Sequence, residues 1–229
     1  MKKVTGSIAA IAALMIASTS LKAQTAAKTT FGVRAGVNFQ NINGKDYNGN
    51  KLQNNLIPGF NVGVNAEIPV AKDFYIQPGL LFTTKGGKKD VNDNGNHYTQ
   101  TTHLAYIEVP ANFLYKPQLG TGHLLAGLGP YVDFGVGGKV KYSGTGAPAD
   151  KDVVFMNTVT NAEANSDAYY RRVGAGANFL FGYEFSNKLS AQLNAQLGLT
   201  NINPKYDALP DAKNAEKNTG FGISLGYRF

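Results

Sequence analysis

Along most of the chain, hydrophobic and polar residues alternate one for one. From Thr30 to Gln40 the apolar side chains are Phe31, Val33, Ala35, Val37 and Phe39, separated by Gly, Arg and Asn. The end of the chain repeats the rule: Phe221, Ile223, Leu225, Tyr227 and Phe229 are set against Gly220, Gly222, Ser224, Gly226 and Arg228. Successive side chains of a β-strand point to opposite faces, so each segment predicts a strand with one greasy and one polar face. Eight segments qualify, at 30–40, 60–68, 74–84, 104–116, 124–136, 172–185, 189–200 and 220–229. Several exceed the five or six residues typical of soluble strands and match the roughly 9–11 that cross a bilayer at a tilt.

The links alternate as well. Segments 69–73, 117–123 and 186–188 are short, whereas 41–59, 85–103, 137–171 and 201–219 are long and rich in Asn, Asp, Gly and Lys. An even number of strands, with short turns at one end and long loops at the other, predicts an all-β fold. It is an eight-stranded antiparallel up-and-down transmembrane β-barrel with both termini on the periplasmic side. The soluble alternative is a lipocalin-like barrel whose apolar face points inward. The polar face here is mostly Gly, Asn, Gln and Ser, which suits a crowded lumen better than a solvated exterior. Phe31, Phe39, Phe74, Phe82, Tyr115, Phe185 and Tyr227 fall near strand ends on the apolar face, as interfacial girdles do. Pro78, Pro110 and Pro130 run against the pattern, because a closed barrel has no free edge for a residue without N–H, and they predict bulges or strand ends.

Composition narrows the class. The 229 residues are 43% hydrophobic and 16% charged and include no cysteine. A disordered tail, a disulfide scaffold, a thiolate metal site and a cysteine nucleophile are thereby excluded. Lys2 and Lys3, then the apolar run 8–17 and a polar stretch ending at Ala23, predict a secretory signal peptide over 1–23, cut between Ala23 and Gln24. The mature domain is then 24–229, and its charge falls from +7 to +4, with 19 basic against 15 acidic residues. The basic residues spread between loops and barrel without concentrating, which does not support nucleic-acid binding.

Gly32-Val33-Arg34-Ala35-Gly36-Val37-Asn38, Gly59-Phe60-Asn61-Val62-Gly63, the run Ile76 to Phe82 followed by Lys85-Gly86, and Tyr106-Ile107-Glu108-Val109-Pro110 together resemble the PorT-type family of small outer-membrane β-barrel proteins. The resemblance covers the mature chain outside its loops. Where the family pattern has an acidic residue after Gln77-Pro78, this chain has Gly79. Phe221, Ile223, Leu225, Tyr227 and Phe229 also resemble the terminal signal read by the barrel-assembly machinery. The resemblance implies the outer membrane of a Gram-negative bacterium and, from the family's name, an accessory role in protein secretion, with other envelope or secretion proteins as partners. It implies no settled biochemical activity, because fold does not fix function, and neither an enzyme nor a cofactor is expected.

Candidate chemistry is sparse. An eight-stranded lumen is about wide enough to be filled by side chains. Arg34, Glu67, Glu108, Asp133, Arg172, Glu184 and Arg228 lie on the polar face and predict an internal ion-pair network that plugs it, in preference to a narrow solute channel. Asp90, Asn92 and Asn94, followed by Gly95, match half of a calcium loop, but Thr101 stands where the bidentate glutamate belongs, and a polar turn is expected instead. Gly222-Ile223-Ser224-Leu225-Gly226 fits G-x-S-x-G, yet it lies in a strand with no helix to follow. His97, His103 and His123 are the available imidazoles. A lipid-modifying enzyme centred on His103 remains the least favoured class, since no serine shares its hairpin rim. Val153, Val154, Phe155 and Met156 give the third long loop unusual apolar character and make it the expected partner contact. The expected role is a non-catalytic structural or interaction protein presenting loops outside the cell. It touches outer-membrane lipid and lipopolysaccharide.

Overall fold

The computed structural model describes residues 28–46, 49–93, 95–160, 167–207 and 214–229. The predicted signal peptide and its cleavage pair, Ala23 and Gln24, lie outside the described residues. Eight long strands carry the wall: β1 (Thr30–Lys45), β2 (Ile57–Ala71), β3 (Phe74–Asp93), β4 (Asn96–Tyr115), β5 (Gly122–Thr145), β6 (Val173–Glu184), β7 (Leu189–Gly198) and β8 (Ala215–Arg228). Each pairs antiparallel with its sequence neighbours, and β8 pairs with β1 from Gly32↔Arg228 to Lys45↔Ala215, which closes the ring. Closure leaves the wall no free edge.

Alternation decides which side faces out. In β1, Phe31, Val33, Val37 and Phe39 are exposed while Gly32, Asn38 and Gln40 are buried. The same split holds in β8, where Phe221, Ile223, Leu225, Tyr227 and Phe229 are exposed and Ser224 and Arg228 are buried. The apolar face is the exterior and the polar face the lumen, as a barrel in lipid requires and a lipocalin does not. Lumen-facing glycines sit where a large inward group from the next strand needs their space. A Cβ on Gly176 would meet the Tyr131 ring at 2.5 Å, and one on Gly220 would meet the Gln40 amide at the same distance.

The strands run further than the sequence pattern predicts. β3 and β4 have 20 residues each and β5 has 24. The expected loop 85–103 is instead a continuous hairpin, paired from Lys85↔Leu104 to Asp93↔Asn96. Outward positions change character at one level: Phe82, Ile107 and Phe134 lie in the apolar belt, and Lys88, Thr101 and Lys141 lie above it. A polar outward face ends the hydrophobic signal without ending the strand. The third long loop also folds. Its segment Lys151–Phe155 pairs with β5, and Ala168–Tyr170 lies parallel to Lys151–Phe155.

The three prolines do not end strands. Pro78 pairs with Ala111, Pro110 with Tyr131, and Pro130 with Ala177, each towards the following strand. On the opposite side the rungs that would join Pro78 to Ala66, Pro110 to Gly79 and Pro130 to Ala111 are missing. Each interruption falls on the side of its proline that faces the preceding strand, and register resumes beyond it.

Two outcomes test this fold. Unboiled protein in detergent migrates faster than boiled protein on a gel, and identical mobilities would contradict a closed barrel. Because the chain has no cysteine, Lys141→Cys is labelled by a membrane-impermeant maleimide on intact cells. Lys72→Cys, in the short turn between β2 and β3, reacts only after the outer membrane is opened.

Candidate functional site in the lumen

Two clusters of buried charge occupy the barrel interior. The upper one joins β3, β4 and β5. Glu108 and Asp133 stand directly opposite each other across the β4–β5 pair, an arrangement of like charges that is destabilising alone. Lys85 resolves it: its Nζ lies 3.0 Å from Glu108 Oε2 and 2.8 Å from Asp133 Oδ2, with all three side chains essentially without solvent contact. The ammonium also sits 4.2 Å from the centre of the Tyr131 ring, whose face attracts a cation. From the far wall, Gln196 of β7 donates to both Glu108 oxygens, at 2.9 and 2.8 Å. Arg34 of β1 lines the same void of about 20 Å3 as Glu108 and Gln196, a space for about one water.

The lower cluster draws on alternate strands. Lys116, just past the end of β4, lies 2.8 Å from both Glu67 of β2 and Glu184 of β6. Arg228 of β8 pairs with Glu67 through Nη2, and its Nη1 donates to Asn65 Oδ1 at 2.7 Å. Gln77 donates to Glu67 and accepts from Asn112, both at 3.3 Å. A small apolar layer of Leu114, Leu125 and Leu180, with Tyr75 against it, fills space near this end.

With Arg34 included, each cluster holds two cations and two anions and is charge-balanced. Desolvating a charge without a partner costs several kcal/mol, so balance is the condition for filling the lumen with such groups. Above both clusters the mouth is closed by an apolar plug. Ile42, Leu104, Tyr106, Val140, Tyr170 and Ile202 are buried together, and Val153, Phe155 and Ala168 of the folded third loop pack against them.

Six of the seven predicted lumen charges point inward, namely Arg34, Glu67, Glu108, Asp133, Glu184 and Arg228. Arg172 does not. The chain bends there before β6 begins, so strand alternation does not reach it, and its guanidinium is exposed with its carbon 5.9 Å from the Phe155 ring. The two lysines that hold the clusters together stand outside the expected lumen set: Lys85 opens the expected loop 85–103, and Lys116 closes the expected strand 104–116. Continuing the inward series Gln77, Leu81, Thr83 by one step finds Lys85, and continuing Glu108, Asn112, Leu114 finds Lys116.

Local structure places the remaining candidates. Asp90 and Asn92 belong to the β3–β4 hairpin and not to a coordination loop. Thr99 Oγ1 donates to Asp90 at 2.7 Å, and Asn92 Oδ1 lies 2.7 Å from the His97 ring. Asn94 lies outside the described residues. Val153 and Phe155 are not presented to partners: they pack over the barrel mouth, with Val153 against Gly138 and Phe155 against Gly135, while Met156 is half-buried and Val154 is exposed. Ser224 is buried in the lumen and accepts from Asn194 at 3.0 Å. Gly79 faces Pro110 at a distance that leaves little room for the acidic residue of the PorT-type pattern.

A family model described as "Outer membrane protein beta-barrel domain" matches residues 22–203. Among curated proteins, none matches the chain. The solved structures that resemble it include that of Ail, the attachment invasion locus protein of Yersinia pestis. The identity is 14% over 89% of this chain and all of Ail, with a TM-score of 0.40. Ail in complex with the heparin analogue sucrose octasulfate gives the same identity and coverage and a TM-score of 0.38.

Lys85→Met leaves Glu108 and Asp133 buried, adjacent and unpaired. It is expected to destabilise the barrel by about 3–5 kcal/mol, read as a lower urea midpoint of the heat-modifiable band. Adding Glu108→Gln and Asp133→Asn to that variant restores most of the loss. If the single variant matches the parent, the upper cluster does not hold the wall.

Proposed function

The chain belongs to the outer membrane protein beta-barrel domain family, and from that premise we propose that it is a sealed, non-catalytic outer-membrane barrel acting through the wall it raises above the lipid. One observation carries this reading: the voids lining the charge clusters measure only about 20 and 10 Å3, too small for a hydrated solute. The clusters and the apolar plug make the barrel a rigid support. The extended β3, β4 and β5 then present a stiff, continuous sheet to the outside instead of mobile loops.

The outer surface of this wall fits contact with lipopolysaccharide. Lys88, Thr101 and Lys141 form one cross-strand row above the apolar belt, and Lys139 lies beside His103 in the row between. Ammonium groups at that height meet the phosphates of the outer leaflet. The resemblance to PorT-type barrels supports an accessory part in secretion, with the exposed wall as the contact for envelope proteins. The apolar alternation of β8 fits recognition by the barrel-assembly machinery.

Purified protein reconstituted in planar bilayers is expected to give no sustained conductance. Steady current steps that change on neutralising Glu184 would overturn the sealed reading and make the protein a narrow channel.

A further inference from the structure

A larger cavity lies outside the charge clusters, under the first long loop at the outer mouth. It measures about 80 Å3, the room of two or three water molecules at about 30 Å3 each. Its polar lining comes from Asn54, Lys89, Gln100, Thr102, Tyr170 and Glu216. The pattern of β8 turns Glu216 inward with the buried Asn218. Among the described residues its carboxylate has neither an ion pair nor a hydrogen bond, although its backbone amide donates to Asn201.

The amide of Asn54 is oriented by its own donor, since Nδ2 gives to the Ile42 carbonyl at 2.7 Å. Its Oδ1 is therefore an acceptor, and it is buried without a partner. That oxygen is shut off from open space, which leaves the Glu216 carboxylate as the acceptor that borders the cavity and calls for a donor. Burial pushes the Glu216 carboxyl up from its ordinary range, and the field of Lys89 pulls it part of the way back. Lys89 itself is exposed at the lip, and Gln100 and the Thr102 and Tyr170 hydroxyls supply further hydrogen-bonding groups.

A simple cation would meet Lys89 on entry, and a simple anion would meet Glu216 at the wall. A molecule with an ammonium at one end and a carboxylate at the other satisfies both. We propose that this cavity binds a small zwitterion of the free amino-acid class, its ammonium on Glu216 and its carboxylate towards Lys89. The volume sets the size at glycine or alanine, far below the ~300–1,000 Å3 pockets of larger ligands. This site stands apart from the sealed lumen and does not depend on whether the barrel conducts.

The test is calorimetric titration of the folded barrel in detergent with glycine, L-alanine, L-phenylalanine, methylammonium and acetate. Glycine and alanine are expected to bind saturably, phenylalanine not at all, and each single-charge probe at least about tenfold more weakly, the loss of one charge-assisted contact. Glu216→Gln abolishes binding and Lys89→Ala weakens it about tenfold, whereas Lys217→Ala, on the opposite face of β8, binds as the parent does. The unboiled gel shift confirms that each variant is folded. Absence of binding up to the solubility limit of glycine and alanine, equal binding of methylammonium and glycine, or undiminished binding to folded Glu216→Gln would overturn the proposal and leave a water-filled space.

Discussion

The structure depends on one constraint: a closed eight-stranded wall encloses a lumen too narrow for bulk water, so every charge that points inward must find its partner there. Lys85 between Glu108 and Asp133, and Lys116 between Glu67 and Glu184, meet that requirement at 2.8–3.0 Å. An apolar lumen would have been simpler to fill. It would also have made both faces of each strand hydrophobic, and the period-two pattern that separates lipid side from lumen side would be lost. The buried ions therefore go together with an unambiguous register. Their cost is met by pairing, and their number is limited to what balances.

How far the fold was legible follows from the same physics. Strand number, hairpin order, closure and the outward direction of the apolar face are all encoded in alternation, because lipid and lumen impose opposite demands on successive residues. Alternation fails where the outside becomes water. Lys88, Asp90, Thr99 and Thr101 are strand residues that read as loop, since a solvated outward face and a polar inward face leave no contrast between neighbours. Lys85 stands at that boundary, so alternation reveals Glu108 and Asp133 but not the cation between them. Arg172 fails for the complementary reason, because its parity is right but the backbone bends before the strand begins.

The third loop shows a different limit. Its apolar residues Val153 and Phe155 were readable as unusual, but sequence does not say whether such residues meet another protein or their own barrel. Here the strand Lys151–Phe155 joins the outer edge of β5, and the pleat then delivers both side chains over the mouth. The three prolines were legible as exceptions, and their resolution required the register. The missing rungs gather at two adjacent cross-strand rows: Ala66–Pro78 and Ala111–Pro130 share one, with Pro78 and Ala111 still paired between them, and Gly79–Pro110 falls on the next.

The lower cluster takes its four charges from the β2, β4, β6 and β8 regions, so the last of them to leave the ribosome is Arg228. Before the final strand docks, Lys116 alone faces two carboxylates, and the interior carries surplus negative charge. Docking β8 against β1 adds the missing positive charge and shuts the cylinder in the same movement. Neutrality and closure thus become a single event, and an incompletely inserted chain is marked by an electrostatic defect at its open side. The barrel carries its own criterion of completion, placed in the strand that closes the ring.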